Sequence, residues 1–118
     1  MSEKPFDIKH RCYRFSKDIV NFISTLSYDR IYFSMFDQLL RSATSIGANI
    51  VEAKSGSSQR DFVKFYIIAL KSANETKYWL CLVRDTVLKE RKQELNILIE
   101  EADELSKIIA SIVINTQR

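Results

Sequence analysis

Apolar residues recur at steps of three and four through four long stretches of this chain, with polar breaks between them. Ile8, Cys12, Phe15, Ile19, Phe22, Ile23 and Leu26 predict an amphipathic helix over residues 7–27, with Pro5 at its opening turn. After the break at Ser27-Tyr28-Asp29-Arg30, Ser34 followed by Asp37 predicts an N-cap with an acidic first turn. The second helix then runs to about Lys54 with Phe36, Leu39, Leu40, Ala43, Ile46, Ile50 and Val51 inward. Ser55-Gly56-Ser57-Ser58 is the clearest loop. Ser58, three residues before Asp61, opens a third helix expected over 59–88, and Lys89-Glu90-Arg91-Lys92 forms the last connection. A fourth helix from about Gln93 repeats Leu95, Leu98, Ala102, Leu105, Ile109, Ile112 and Val113. Long helices joined by short connections lie antiparallel, so the expected fold class is all-α, an up-down four-helix bundle in one domain over 1–118.

Two features of this pattern go beyond a lone bundle. Ala43, Ser45, Gly47 and Ala48 on the second helix would face Ala69, Ser72 and Ala73 on the third if the hairpin folds about Gly56. A glycine inside a helix costs about 1 kcal/mol relative to alanine, so Gly47 implies a packing or kinking requirement. The third helix is also apolar on nearly every side from Phe62 to Leu70. Ile67 and Ile68 cannot both point into one core, and Ile97 and Ile108 fall outside the main stripe of the fourth helix. With Val63, these residues predict an oligomer interface, because a contiguous exposed apolar patch usually marks a docking surface.

Composition agrees with an all-helical fold. Among 118 residues only two are Gly and one is Pro, too little punctuation for a sheet of short strands. No basic segment followed by an apolar core opens the sequence, so the expectation is a cytoplasmic protein. No apolar run approaches the roughly 20 residues needed to cross a bilayer, which argues against membrane insertion. Cys12 and Cys81 are far apart and His10 is the lone histidine, so neither a local zinc site nor a redox pair is expected.

Candidate chemistry is sparse. Glu52 and Glu75 lie near the small-residue seam, with Asn49, Lys71 and Trp79 within helical reach. Two nearby carboxylates suit acid–base work or a hard cation, but no histidine or further ligand spacing supports them. A structural polar network, including Lys71 with Glu75 at i and i+4, is the favoured expectation, with no cofactor and no catalysis. The serines have no histidine partner and Gly56 stands alone, so neither a nucleophile constellation nor a phosphate-cradling loop is present.

The net charge of +3 does not announce a nucleic-acid binder, but its distribution is uneven. Lys9, Arg11, Arg14 and Lys17 crowd the first helix, and Arg41, Lys54 and Arg60 add charge along the second helix and its exit. Glu94, Glu100, Glu101, Asp103 and Glu104 crowd the fourth. The basic set suits a phosphate backbone, and an oligomer would multiply it into a belt. Equally, a basic face can simply solubilise the bundle or meet the acidic fourth helix of a neighbour.

The segment from Arg41 to Ala53, with Ser-Ile-Gly-Ala-Asn-Ile-Val-Glu-Ala at its heart, is followed at fixed separation by Glu-Thr-Lys-Tyr-Trp-Leu at 75–80. Together these resemble the four-helix bundle proteins related to those encoded in intervening sequences of bacterial large-subunit ribosomal RNA. The resemblance is close over the second and third helices and follows by pattern elsewhere. It implies a bacterial protein, a ring-shaped homopentamer and no known catalysis. It also picks out Asn49, Glu52, Lys71, Glu75 and Trp79 as family-typical positions. Gly47 and Glu52-Ala53 replace the Pro and Glu-Gly of the common motif variant. The family is similar to the accessory variability protein of diversity-generating retroelements, which implies RNA, DNA, a reverse transcriptase or a ribosomal component as partner. The leading expectation is a non-enzymatic oligomeric scaffold for nucleic acid, with a protein-interaction hub as the alternative.

Overall fold

The computed structural model describes residues 7–56 and 58–117; Pro5 and Ser57, assigned above to a helix start and a loop, lie outside the described residues. Four helices account for most of it: α1 (Ile8–Ser24), α2 (Phe33–Ser55), α3 (Gln59–Asp85) and α4 (Lys92–Gln117). Short 3₁₀ turns at Arg30–Tyr32 and Lys89–Arg91 precede α2 and α4. Successive helices pack against each other and α1 closes onto α4, while the diagonal pairs stay apart. Cross-links place opposite ends together, as antiparallel neighbours require. Gln59 at the start of α3 donates to the Thr116 carbonyl near the end of α4 at 2.8 Å. Arg84 near the end of α3 donates to Asn96 near the start of α4 at 3.0 Å. At about 1.5 Å per residue, the 27 residues of α3 come to about 40 Å and set the longest dimension of a 45 × 32 × 20 Å body.

The core is the set the periodicity named, except that Val51, expected inward on α2, is 49% exposed at the lip of the groove between α1 and α2. Cys12, Ile19, Leu39, Ala43, Ile46, Ile50, Ala69, Ala73, Leu80, Leu95, Ala102, Leu105 and Ile109 are fully excluded from solvent. Each fully buried Leu or Ile contributes roughly 1.5–3 kcal/mol of transfer free energy, enough in sum to oppose the entropy of ordering the chain. The helix boundaries differ from expectation where a local device intervenes. The Ser58 hydroxyl caps α3 by accepting the Asp61 amide at 3.1 Å, as the sequence implied. Ser34 caps nothing: α2 already begins at Phe33, because the 3₁₀ turn supplies its first hydrogen bonds. α3 ends at Asp85 rather than 88, yet the apolar rhythm persists because the Leu88 amide returns to the Val83 carbonyl at 2.8 Å and tucks its side chain into the core.

Gly47 does not belong to the α2–α3 seam. A β-carbon built on it would come within 3.2 Å of Cys12 Cβ and 3.6 Å of the Cys12 carbonyl carbon, both on α1. The residue is small so that α1 can approach α2. Sequence spacing put Gly47 and Ala48 with Ala43 at the seam, but helical rotation turns both towards α1, where they line the groove between α1 and α2. The α2–α3 contact instead rests on Ala43, Ala69 and Ala73 with one buried polar link: Thr76 donates to Ser42 Oγ at 3.0 Å, and Ser42 donates to the Leu39 carbonyl at 3.2 Å.

The apolar breadth of α3 has an explanation inside the protomer. α3 packs extensively on both α2 and α4, so it needs an apolar arc on two sides. Val63 and Ile67 on α3, and Ile108 on α4, accordingly pack against the protomer's own core. Ile68 is only 37% exposed, so the 62–70 segment is mostly sheltered without a second copy. Further exposed apolar surface lies at Tyr78 on α3 and at Tyr13, Val20, Val51, Ile97, Ile114 and the Ile31-Tyr32-Phe33 corner.

Candidate functional site

Antiparallel packing gathers three element ends, the start of α1, the end of α2 and the start of α3, at one end of the bundle. Lys9 lines a groove opposite Val51, Lys54 follows less than a turn later on α2, and Arg60 sits in the first turn of α3. Lys9, Lys54 and Arg60 are all exposed, and among the described residues no carboxylate forms a salt bridge with any of them. Lys17, two turns along α1 from Lys9, rests its ammonium 5.8 Å from the centre of the exposed Tyr13 ring. Cation and ring together form a stacking surface of the kind that single-stranded nucleic acid uses.

The remaining basic candidates are differently engaged. Arg11 grips Glu101 on α4 with two parallel bonds, Nε to Oε2 at 2.8 Å and Nη2 to Oε1 at 2.9 Å, and both side chains are more than two-thirds buried. This guanidinium is a bolt between the two least extensively packed neighbours, α1 and α4, and not a solvent-facing phosphate contact. Arg14 is exposed on α1. Arg41 lies part-way along α2, away from the basic end, and is held by Asp37 at 2.9 Å. The sequence grouped all seven cations, whereas the fold places Lys9, Lys54 and Arg60 at one end of the bundle and assigns Arg11 to the contact between α1 and α4. No sequence signal marked Glu101 as its partner, because the two residues are 90 positions apart.

The polar set separates as well. Glu75 accepts from Trp79 Nε1 at 3.2 Å, one turn along α3. Asn49 donates to the Ser45 carbonyl of its own helix at 2.8 Å. Lys71 and Glu52 are exposed, and among the described residues neither bonds to Glu75. The interhelical polar link that the sequence did not anticipate joins α3 to α4: Lys77 donates to Asp103 at 3.1 Å and to Ser106 at 3.2 Å. Bonds from Lys77 and then Lys107 hold the Asp103 carboxyl below its ordinary pKa. Cys12, buried beneath Gly47, has its thiol pushed up to about 12, first by burial and then by the Glu101 charge, with Arg11 partly opposing. A thiol so raised is inert. Among the described residues no cluster of three His, Cys, Asp or Glu could hold a metal ion.

A groove of about 550 Å³ runs between α1 and α2, beside the basic end. Tyr13, Thr44, Ala48 and Val51 give it a largely apolar lining, with Lys9 and His10 at one end. Among the described residues no helix is long and apolar enough to cross a membrane.

Residues 4–111 match the family described as 23S rRNA-intervening sequence protein. The chain belongs to that family. A crystal structure of a protein with unknown function from the S23 ribosomal protein family of Bacteroides thetaiotaomicron is similar, at 39% identity and a TM-score of 0.82. That likeness covers 90% of this chain and 97% of the other. No functionally curated protein matches the chain. Membership in the 23S rRNA-intervening sequence protein family agrees with the resemblance read from the 41–53 and 75–80 segments.

Proposed function

We propose that this chain is a non-enzymatic, oligomeric helical scaffold of the cytoplasm that binds structured RNA through its basic end. The observation that carries the reading is that Lys9, Lys54 and Arg60, from three elements, lie at the same end of the bundle, exposed and without an internal counter-ion among the described residues. Phosphate contacts of this kind give affinity with little base discrimination, and they weaken as salt rises because bound counter-ions are released. Repetition of the patch around a ring-shaped homo-oligomer, a pentamer by family resemblance, raises affinity through multivalency without new contacts. A reverse transcriptase or ribosomal component bound to the same RNA is the corresponding protein partner.

Fluorescence anisotropy with a structured ribosomal RNA fragment tests the reading. Affinity should fall steeply between about 50 and 200 mM salt, and Lys9→Glu/Lys54→Glu/Arg60→Glu should weaken it by about tenfold or more. Absence of binding at low salt, or affinity indifferent to that triple substitution, removes the proposal.

The second reading is a protein-interaction hub, supported by the α1–α2 connection. Ile31 is 81% and Phe33 56% exposed there, next to Tyr32 and Arg30. Such a compact apolar corner is unusual for a surface turn and suits a protein partner. A pull-down that survives nuclease treatment and is lost in Ile31→Asp favours this reading; loss of the partner on nuclease treatment returns the weight to RNA.

A further inference from the structure

We infer that the groove between α1 and α2 takes one unpaired base of a bound RNA, stacked against Tyr13, with the flanking phosphates on Lys9 and Lys54. This placement rests on the RNA-binding function proposed above and names the part of the RNA that is recognised, a loop, bulge or strand end and not a paired stem.

Size and lining suit such a guest. The volume of about 550 Å³ falls within the range of pockets that enclose small organic ligands. On the α2 wall Thr44, Gly47 and Ala48 present only short side chains, so a flat ring has room to lie close to the helix. Tyr13 lines the α1 wall with 67% of its surface in solvent. An aromatic side chain left that open beside an apolar cavity lacks the burial that would stabilise it, and a stacked base supplies it. Thr44 donates its hydroxyl proton to the Leu40 carbonyl of its own helix at 2.9 Å, so towards the groove it offers lone pairs only. Recognition therefore rests on stacking and shape, which every base satisfies, and sequence preference should be weak.

Charge selects a nucleotide over a purely apolar guest. Lys9 and His10 stand at one end of the groove, and His10 lies 3.5 Å from the Asp7 carboxylate, so Lys9 carries the attraction for an anion there. Lys54 follows the groove residue Val51 by three positions, a spacing that sets both side chains on one side of α2. An apolar slot with exposed ammonium groups from two helices at its basic end matches a flat ring carried on a phosphate backbone. An aliphatic side chain of a protein partner would leave those cations without a counterpart. Within a duplex a base has its faces covered by stacked neighbours and its edge by its partner, so it cannot enter; an unpaired base can be splayed out of the backbone and stacked.

The test compares three RNAs by fluorescence anisotropy at about 50 mM salt: a hairpin with an adenosine loop, the same hairpin with abasic loop residues, and its stem as a blunt duplex. Wild type should bind the adenosine hairpin about fivefold or more tightly than the other two. Tyr13→Ala removes the stacking ring and Ala48→Leu fills the slot from an exposed position; circular dichroism checks the helix content of each. Both variants should lose that preference while holding duplex affinity within about twofold of wild type, because the phosphate contacts are untouched. If one variant unfolds, the other decides. A wild type that treats the three RNAs alike, or a folded variant that keeps the hairpin preference, overturns the base site and leaves RNA binding standing. Absence of binding to all three overturns the base site and the RNA-binding reading together.

Discussion

Gly47 and Cys12 meet where α2 crosses α1, and a β-carbon at position 47 would stand 3.2 Å from that of Cys12. The contact is between a helix backbone and an atom fixed to the opposing backbone, so only a shift of α1 relieves it. Gly47→Ala adds one tight contact and gains about 1 kcal/mol of helix propensity; the two nearly offset, and stability should stay within about 1 kcal/mol of wild type. Gly47→Val overfills the crossing and should cost about 1–3 kcal/mol in urea denaturation. Equal stability of the valine variant would show that α1 moves freely at this point.

Arg11 and Glu101 should behave as a coupled pair. Their two-bond geometry and partial burial place the coupling above that of an exposed pair, at about 1 kcal/mol in a double-mutant cycle of Arg11→Ala and Glu101→Ala. A coupling energy indistinguishable from zero would relegate the bond to surface decoration. Charge reversal at Arg11 therefore perturbs α1–α4 packing, and RNA-binding experiments are better read at Lys9, Lys54 and Arg60.

The buried Thr76–Ser42 link predicts non-additivity. Thr76→Val and Ser42→Ala should each cost about 1 kcal/mol, because each leaves a buried hydroxyl with fewer partners. The double variant should cost less than the sum of the two, because the link is lost only once, while each hydroxyl left by a single change keeps the carbonyl of its own helix, Ser72 for Thr76 and Leu39 for Ser42. Strict additivity in thermal or urea unfolding would contradict the link.

Titration should destabilise the fold at both extremes. The Asp103 carboxyl is held down by Lys77 and then Lys107, so its contribution is present above the unfolded-state pKa and is lost as pH falls through the lower folded value. Lys77→Met should raise the Asp103 midpoint in an NMR titration. At the alkaline end, Cys12 rises from 9.0 to about 12 through burial, and burial also raises Tyr66. The unfolded chain then loses its thiol proton first, so stability should decline from pH 9 towards 12. Cys12→Ala should flatten that decline; an unchanged slope would show that the thiol takes no part in it.

Cysteine reactivity offers an independent check on the same burial. Iodoacetamide at pH 8 should modify half-buried Cys81 well before Cys12, which has no exposed surface. Equal rates under native conditions would mean that α1 opens frequently from the bundle.

Four helices, their inward faces and the Ser58 cap were legible in the chain because each depends on local rules. Periodicity reports how a residue is turned about its own helix, and a capping hydroxyl reaches only three residues ahead. Neither reports which helix stands in a given direction. That is why Gly47 proved to face Cys12 on α1 and why Arg11 found Glu101 on α4. The breadth of α3 read as surplus for a second copy until two flanking helices were seen to use it. The packing of four helices around one axis decides which apolar residues are spare: it left Ile97 exposed, as the linear pattern marked it, but also Tyr13, Val51 and Ile31, which that pattern did not mark.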